Sequence, residues 1–439
     1  MEQALSKAPF TYPQEQKEYY LGLYHRYEHG SQQAWMDLHD PRLHFFTHMK
    51  EGERQEYLVD ASLQAEARNL CTVAKAYHVV TLEMNGGLGT SLGMDLPKGE
   101  SKASGIMFDI HTPDGRPEKL SILEAKMLWA TRHAKNFASL GIIPWNNVET
   151  QEGWERTLDR IFFNDRLLPI SHPRTYRDVA AELDMTIYDQ QLQYPFPRLH
   201  EKIPMSVGAV EQRYAPGGHG QILYQLYFQG MLQELPKNGV QVLVLVNADN
   251  VSAKPNPFFV AHMMEHSVPA AAVTTDRRPI DAKGGIFVVR EGRLELIELA
   301  QVPSEQREEF QAIGLHPGHV PQPFNTNSIY INIPQVVRFL DAMQQKAGKV
   351  AVRKFLTPDL IVNQKKIALD DGSSIDVEQL EGAIGSVIVR FPRMKLFHVG
   401  SADRYSEFAP IKTAADVDFL YKSGKFRFDP ECAKLFPQG

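Results

Sequence analysis

A glycine-dense segment that follows a predicted strand offers the clearest chemistry in this chain. The apolar run at residues 79–84 leads into Asn-Gly-Gly-Leu-Gly-Thr-Ser-Leu-Gly at residues 85–93, and Lys98 follows shortly after. Glycines adopt positive φ and let successive backbone N–H groups approach phosphate oxygens. The glycine spacing matches neither the dinucleotide fingerprint nor the P-loop. We interpret the segment as a polyphosphate-binding loop with Lys98 as a point charge, and an ordinary strand-to-helix turn is the alternative.

Two further segments carry groups suited to a nucleotide or a metal ion. Residues 214–221 read Tyr-Ala-Pro-Gly-Gly-His-Gly-Gln, a loop whose bare backbone could lie against a flat base while His219 donates to a phosphate or sugar oxygen. Asp249 follows the strand-like run at residues 240–246 and suits Mg²⁺ through one carboxylate oxygen. The alternatives are a surface turn for the first segment and a helix N-cap for Asp249.

Two polar positions nearer the C-terminus complete the candidate chemistry. Asn325 opens a short polar stretch before a predicted strand and suits hydrogen bonds to sugar hydroxyls, although such residues also form plain turns. Lys412 lies in Ala-Pro-Ile-Lys-Thr at residues 409–413 and could reach a phosphate across a cleft. A solvated lysine is the alternative interpretation of Lys412.

The segments between these groups predict the elements that position them. The run at residues 240–246 is almost entirely valine and leucine, which is typical of a central parallel strand buried on both faces. Polar residues at the carboxyl ends of such strands lie where open α/β sheets bind ligands. Further strands are predicted at residues 79–84, 270–275, 285–290, 293–299 and 328–333, and helices at 121–140 and 376–387.

The overall composition restricts the class of protein. A chain of 439 residues exceeds the usual size of one core, so we expect two or three packed units. The net charge of −6 offers no broad basic face for nucleic acid, and no apolar run is long enough to span a bilayer. The N-terminus lacks the features of a signal peptide, and two cysteines cannot form a disulfide framework, so we expect a cytoplasmic protein.

Taken in order, these segments resemble the UTP–glucose-1-phosphate uridylyltransferase (UDP-glucose pyrophosphorylase) family. The matching stretches are residues 85–91 with 97–98, Gln193 with 197–199, 216–220, 247–250, 298–303, 324–327, 379–381 and 410–413. The resemblance implies an α/β fold: a Rossmann-like nucleotidyltransferase with a central mixed, mostly parallel sheet flanked by helices. It also implies an N-terminal helical extension at 1–76, a catalytic domain at 77–345, and a small C-terminal α+β portion at 346–439 that carries Lys412.

The resemblance further implies the reaction of UTP with glucose 1-phosphate to give UDP-glucose and pyrophosphate, with Mg²⁺ as cofactor. Carried over by position, the catalytic residues would be Lys98, Asp249 and Lys412, with Asp249 as the metal ligand. The remaining roles would be nucleotide binding by Leu88, Gly89, Thr90, Gln193 and Gly220, and binding of the sugar and its phosphate by His219, Asn247, Gly285, Glu298 and Asn325.

Three departures from the family pattern leave alternatives open. Gln221 stands where the family usually carries an aspartate, residues 96–99 read Leu-Pro-Lys-Gly, and residues 145–165 look unlike the pattern. A relative that uses galactose 1-phosphate or N-acetylglucosamine 1-phosphate is one alternative, and a non-catalytic nucleotide-sugar sensor is another. A nicotinamide-dependent oxidoreductase is disfavoured by the missing fingerprint. We expect no β-helical C-terminal domain after Lys412, and a monomer or a dimer.

Overall fold

A computed structural model describes most of the chain. The described residues are 1–29, 35–60, 72–85, 101–105, 107–111, 117–147, 150–162, 185–189, 191–316, 318, 320–370, 372–401, 404–411 and 415–416. Five predicted site residues lie outside these ranges, namely Leu88, Gly89, Thr90, Lys98 and Lys412. None of the described helices is both long enough and apolar enough to cross a membrane.

The described strands alternate with helices along most of the chain. The strands are β1 Leu43–Phe45, β2 Leu58–Asp60, β3 His78–Met84, β4 Met107–His111, β5 Pro117–Ser121, β6 Ser139–Asn147, β7 Met185–Ile187, β8 Gln191–Gln193, β9 Pro195–Pro197, β10 Leu199–His200, β11 Ile203–Pro204, β12 Tyr214–Pro216, β13 Val240–Asn247, β14 Ala270–Asp276, β15 Ile286–Arg290, β16 Arg293–Ile297, β17 Pro323–Asn332, β18 Leu360–Ala368, β19 Ser374–Gly382 and β20 Lys395–Val399.

The helices cover both faces of the sheet that these strands build. They are α1 Glu2–Ser6, α2 Gln14–Glu28, α3 Glu51–Gln55, α4 Lys102–Gly105, α5 Ile122–His133, α6 Gln151–Phe162, α7 Val210–Arg213, α8 Ile222–Phe228, α9 Met231–Lys237, α10 Pro257–Glu265, α11 Arg307–Ala312, α12 Ile333–Leu356, α13 Gly385–Ile388 and α14 Arg404–Glu407. Helix α5 begins with a capping box, in which the Ser121 hydroxyl accepts from the Glu124 N–H at 3.2 Å.

A central mixed sheet organises the fold, as the sequence predicts. Its strand order is β2-β20-β14-β17-β13-β3-β6-β7, with β8 beside β6 and with β15, β16 and β1 attached through β17. Along this path of described strands, β17 runs antiparallel to both neighbours, whereas the other pairs are parallel. The carboxyl ends of the parallel strands therefore meet at one edge of the sheet, which we call the carboxyl edge.

Two apolar cores lie on opposite faces of this sheet. Along β13, Val242, Val244 and Val246 enter one core, while Leu243 and Leu245 enter the other. This alternation follows from the two-residue period of a strand, and a strand buried on both faces needs apolar residues at nearly every position. The predicted N-terminal helical extension supplies α2, whose tyrosines pack into the second core.

The structure corrects two predicted helices. Residues 376–387 were predicted as a helix, but residues up to Gly382 form strand β19, which pairs antiparallel with β18 along its whole length. The predicted helix at 121–140 ends earlier, since α5 stops at His133 and Leu140 already lies in β6. In both places backbone pairing with a neighbouring strand outweighs an apolar spacing that also fits a helix.

The outer segments contribute to the sheet as well. Strand β2, from the predicted N-terminal extension, pairs with β20, and β1 pairs with β15. Strand β20, from the predicted C-terminal portion, lies beside β14 in the central sheet. The hairpin β18–β19 joins β10 and β11 in a separate four-stranded sheet. The boundaries at 76 and 345 stay a prediction.

Candidate active site

The carboxyl edge of the sheet gathers polar residues from adjacent strands. Strand β13 ends at Asn247, beside Met84 at the end of β3, and the antiparallel strand β17 begins at the same edge. The Asn327 side-chain amide donates to the Asn247 side-chain oxygen at 3.0 Å. Asn247 and Asp249 therefore lie at the same edge as Asn325, which comes from a distant part of the sequence.

Asn85 and Ser101, which flank residues 86–100 and thus the glycine-rich segment, are hydrogen-bonded to each other at this edge. The Asn85 backbone N–H donates to the Trp145 carbonyl at 2.9 Å, and its side-chain amide donates to the Asn146 side-chain oxygen at 2.9 Å. The Ser101 hydroxyl donates to the Asn85 side-chain oxygen and also accepts from the first N–H groups of α4. Residues 86–100 lie outside the described part of the chain, but the residues on either side of them are joined at the end of β3.

A short C-terminal segment, residues 407–411, runs antiparallel along residues 249–251, and we call it the strap. The Ile411 N–H donates to the Asp249 carbonyl at 3.1 Å, and the Val251 N–H donates to the Ala409 carbonyl at 3.2 Å. The Asn250 side chain donates to the Glu407 carbonyl at 3.1 Å. These bonds place Ile411, which directly precedes Lys412, beside the backbone of Asp249.

His219 is half-buried in a loop that packs against strand β19. Its Nδ1 accepts from the Ile384 N–H at 3.1 Å, so this nitrogen is unprotonated in the folded protein. Burial lowers the pKa of His219 from 6.5 to about 4. The imidazole is therefore neutral near pH 7, and Nε2 carries the proton that is free to donate to an oxygen.

We expect His219 to make the stability of the protein sensitive to acid. The unfolded chain binds this proton near pH 6.5 and the folded protein only near pH 4, so acid favours unfolding. The free energy of unfolding is unaffected by this group above about pH 6.5 and falls by about 2 kcal/mol on the way to about pH 5. Urea titrations of the wild type and His219→Gln at these two pH values measure this loss, which should be smaller in the variant. Equal losses would contradict the assignment.

Gly220 approaches another backbone closely. A Cβ atom at this position would lie 2.6 Å from the Gly382 carbonyl carbon and 2.7 Å from Pro358 Cγ. Its neighbour Gly218 has a φ of +75° and faces the same strand. The loop that carries His219 can therefore reach β19 only with glycines at these positions.

Gly220→Ala is expected to destabilise the protein by about 1–3 kcal/mol, because the backbone of Gly382 cannot move aside as a side-chain end could. Urea unfolding followed by circular dichroism measures the change. Gly22→Ala is the matched control, since a Cβ there meets nothing within 4 Å in helix α2, and it should stabilise by about 0.5–1 kcal/mol. A Gly220→Ala protein as stable as the wild type would contradict the close packing.

Gly285, Glu298 and Asn325, which are predicted to bind the sugar, lie together in the structure. The Asn325 N–H donates to the Gly285 carbonyl at 3.0 Å. The Glu298 carboxylate occupies the space beside Gly285, since Oε1 lies 2.6 Å from where a Cβ would stand. The Glu298 backbone is held in turn by the Gln301 side chain at 2.9 Å. Gln193 lies at the end of β8, in register with Asn147 of β6, and β6, β3 and β13 separate β8 from β17 in the sheet.

A buried ion pair beneath the edge was not predicted from the sequence. Lys126 Nζ lies 2.6 Å from Glu83 Oε2, with both side chains under 10% exposed, and 3.3 Å from the Asn247 carbonyl. Burial raises the pKa of Glu83, and the Lys126 ammonium opposes that shift. Glu83 is the one carboxylate of strand β3, whereas Lys126 is one of several charged residues in α5, so the sequence did not single out the pair. The pair joins the ends of β3 and β13 to helix α5.

The side-chain oxygen atoms at the carboxyl edge suit a divalent cation that prefers oxygen ligands. The Asn327 side-chain oxygen is buried without a hydrogen-bond partner, and Asp249 supplies a carboxylate at the same edge. Within the described ranges, no cluster of three or more His, Cys, Asp or Glu residues could hold a metal ion. A site with one carboxylate suits a cation whose remaining ligands are water and phosphate oxygens.

Known proteins are similar to this chain in sequence and in fold. A family model described as UTP–glucose-1-phosphate uridylyltransferase matches residues 174–438. A UTP–glucose-1-phosphate uridylyltransferase of Saccharomyces cerevisiae is 28% identical over 381 residues, which cover 85% of this chain and 64% of that protein. One of Encephalitozoon cuniculi is 29% identical over 349 residues, which cover 79% of this chain and 58% of that protein. The chain thus spans less than two thirds of the length of either relative.

A solved structure supports the same assignment at the level of the fold. A mutant UDP-glucose pyrophosphorylase of Leishmania major in complex with UDP-glucose matches with a TM-score of 0.64 and 22% identity. The match covers 92% of this chain and 74% of that one. It confirms the predicted fold class, and the family model covers more than half of the sequence. This chain belongs to the UTP–glucose-1-phosphate uridylyltransferase family.

Proposed function

We propose that the chain is a Mg²⁺-dependent uridylyltransferase that converts UTP and glucose 1-phosphate into UDP-glucose and pyrophosphate. The observation that carries this proposal is the meeting of Asp249, the anchored ends of the glycine-rich segment and the strap at one edge of the sheet. Family membership and the names of the relatives support it.

The proposed chemistry is an in-line displacement at phosphorus. A phosphate oxygen of the sugar phosphate attacks the α-phosphorus of UTP, the bond to the bridging oxygen breaks, and pyrophosphate leaves with the electron pair. No proton has to be transferred for this step, so a neutral His219 can act as a hydrogen-bond donor. The work of the protein is to hold two anions in line and to neutralise their charge.

Each segment has a proposed part in this task. The backbone amides at Leu88, Gly89 and Thr90 cradle the nucleotide, and Lys98 and Lys412 bring ammonium groups to the phosphates. Gly285, Glu298 and Asn325 hold the hexose hydroxyls, and Gln193 with Gly220 faces the uracil. Asp249 would hold Mg²⁺, with the side-chain oxygen of Asn327 within the same polar region. When bound, Mg²⁺ supplies positive charge against the phosphate oxygens.

Pyrophosphate release by the purified chain tests the proposal directly. UTP and glucose 1-phosphate with MgCl₂ should yield UDP-glucose and pyrophosphate, and EDTA should abolish the reaction. In the reverse direction, pyrophosphorolysis of UDP-glucose, UDP-galactose and UDP-N-acetylglucosamine compares the candidate sugars. Preference for either of the last two would identify a different sugar 1-phosphate as substrate. UDP-glucose binding without any pyrophosphate release would instead indicate a nucleotide-sugar sensor.

A further inference from the structure

A buried arginine outside the predicted motifs joins two parts of the candidate site. Arg404, in helix α14 just before the strap, forms two contacts of 2.7 Å with the Asp281 carboxylate, one from each terminal nitrogen. Arg404 is 4% exposed and Asp281 is 3% exposed. Paired N–H groups on two carboxylate oxygens set the relative orientation of the groups as well as their distance.

The other contacts of Arg404 extend the connection. One terminal nitrogen donates to the Asp276 carbonyl at 3.1 Å, at the end of β14. The guanidinium carbon lies 4.9 Å from the ring centre of Phe408 and 5.9 Å from that of Phe324. The guanidinium therefore contacts side chains from three separate segments of the chain.

These partners adjoin the proposed hexose-binding residues on one side and the strap on the other. Asp281 opens the turn to Gly284, whose N–H donates to the Asp281 carbonyl at 2.9 Å, and Gly285 follows. Phe324 directly precedes Asn325 in the sequence. Phe408 belongs to the strap, whose last residue is hydrogen-bonded to the Asp249 carbonyl.

We propose that Arg404 is a positioning residue for the transfer reaction, an inference that rests on the proposed function. Arg404 acts through Asp281 and Phe408 and holds the strap beside Asp249 in a set orientation to the hexose-binding residues. A role in geometry is favoured over one in stability, because a buried ion pair adds little net stability over an apolar replacement of similar size. A lysine keeps the charge but cannot contact both carboxylate oxygens with parallel N–H groups.

Steady-state kinetics of Arg404→Met, Arg404→Lys and Asp281→Asn test this role. We expect kcat to fall about 30-fold or more in Arg404→Met and about 5–10-fold in each of the other two, while KM for UTP changes less than about 3-fold. Arg404→Lys combined with Asp281→Asn should lose little more than either variant alone, because both remove the same two-contact geometry.

Arg390→Met is the matched control. Arg390 also pairs with a carboxylate, that of Asp359 at 2.7 Å, and donates to the Phe355 and Thr357 carbonyls, but it precedes β20 at the opposite edge of the sheet. We expect it to lower the melting temperature and to leave kcat within about 2-fold. If Arg404→Met does not fold, the kcat values of Arg404→Lys and Asp281→Asn test the positioning role.

The outcomes separate this inference from the proposed function. An active wild type with unchanged kcat in folded Arg404 and Asp281 variants would overturn the positioning role alone. So would an equal loss of kcat in Arg390→Met, since it would indicate a general effect of destabilisation. An inactive wild type would refute the proposed function, and the role of Arg404 with it.

Discussion

Asp249→Asn is expected to lower kcat by about 10² to 10³-fold without unfolding the protein. The substitution removes the negative charge that we propose for holding Mg²⁺, so the Mg²⁺ concentration at half-maximal rate should also rise. The contact with the strap uses the Asp249 backbone carbonyl, which the substitution leaves in place. Initial rates over a MgCl₂ titration measure both effects, and circular dichroism verifies the fold.

Asp341→Asn provides the matched control for this variant. This substitution also replaces one carboxylate by an amide. Asp341 lies on helix α12 and accepts a hydrogen bond from the Tyr227 hydroxyl at 2.9 Å. It lies on an element that contributes no predicted site residue, so kcat should stay within about 2-fold. Wild-type rates and an unchanged Mg²⁺ dependence in Asp249→Asn would remove Asp249 from the proposed metal site.

Lys412→Ala is expected to reduce kcat by about 10³-fold, comparable to the loss of a transition-state arginine in other phosphoryl transfers. An ammonium group that approaches the transferring phosphates gains strength as negative charge accumulates there, so its loss should affect kcat more than KM. Lys412→Arg should recover part of the rate, because it restores the charge with a different shape. Rapid-quench and steady-state assays of pyrophosphate release provide the measurement.

Lys366→Ala is the control for removal of a lysine. Lys366 is exposed on β18, in the separate four-stranded sheet. Its replacement should leave both kcat and KM unchanged within error. If Lys412→Ala turned over at the rate of Lys366→Ala, the strap would carry no catalytic group at its end, and the proposed roles would have to be redistributed.

Local sequence was sufficient to predict the central strands. The valine and leucine run of β13 has one plausible environment, a strand covered on both faces, and the structure confirms it. The strands predicted at residues 285–290 and 293–299 likewise form the hairpin of β15 and β16, and both turn residues, Glu291 and Gly292, adopt positive φ. Such features depend on residues that are close in the sequence, so a short stretch of sequence is enough to predict them.

The helix predicted at 376–387 shows where a local pattern is ambiguous. Val377, Leu380, Ile384 and Val387 are all buried and follow helical spacing. In the structure the first two belong to strand β19 and the last two to the region of helix α13 that follows it. Pairing with β18, the preceding strand of the same hairpin, and the close approach of Gly382 to Gly220 decided the conformation, and Gly220 is distant in the sequence.

The residue types at the carboxyl edge could be named from the sequence, but the groups that hold them together could not. The motif order predicts Asp249, His219, Gly285, Glu298 and Asn325 as site residues through a family resemblance, and their roles stay a prediction. The pairing of Arg404 with Asp281 spans 123 residues, and that of Lys126 with Glu83 spans 43. A charged residue in the sequence does not specify its partner, because the partner is set by which elements the fold brings side by side. Local composition therefore specifies the apolar strands at the centre of the sheet, whereas the alignment of the candidate site depends on buried polar partners that only the tertiary structure brings together.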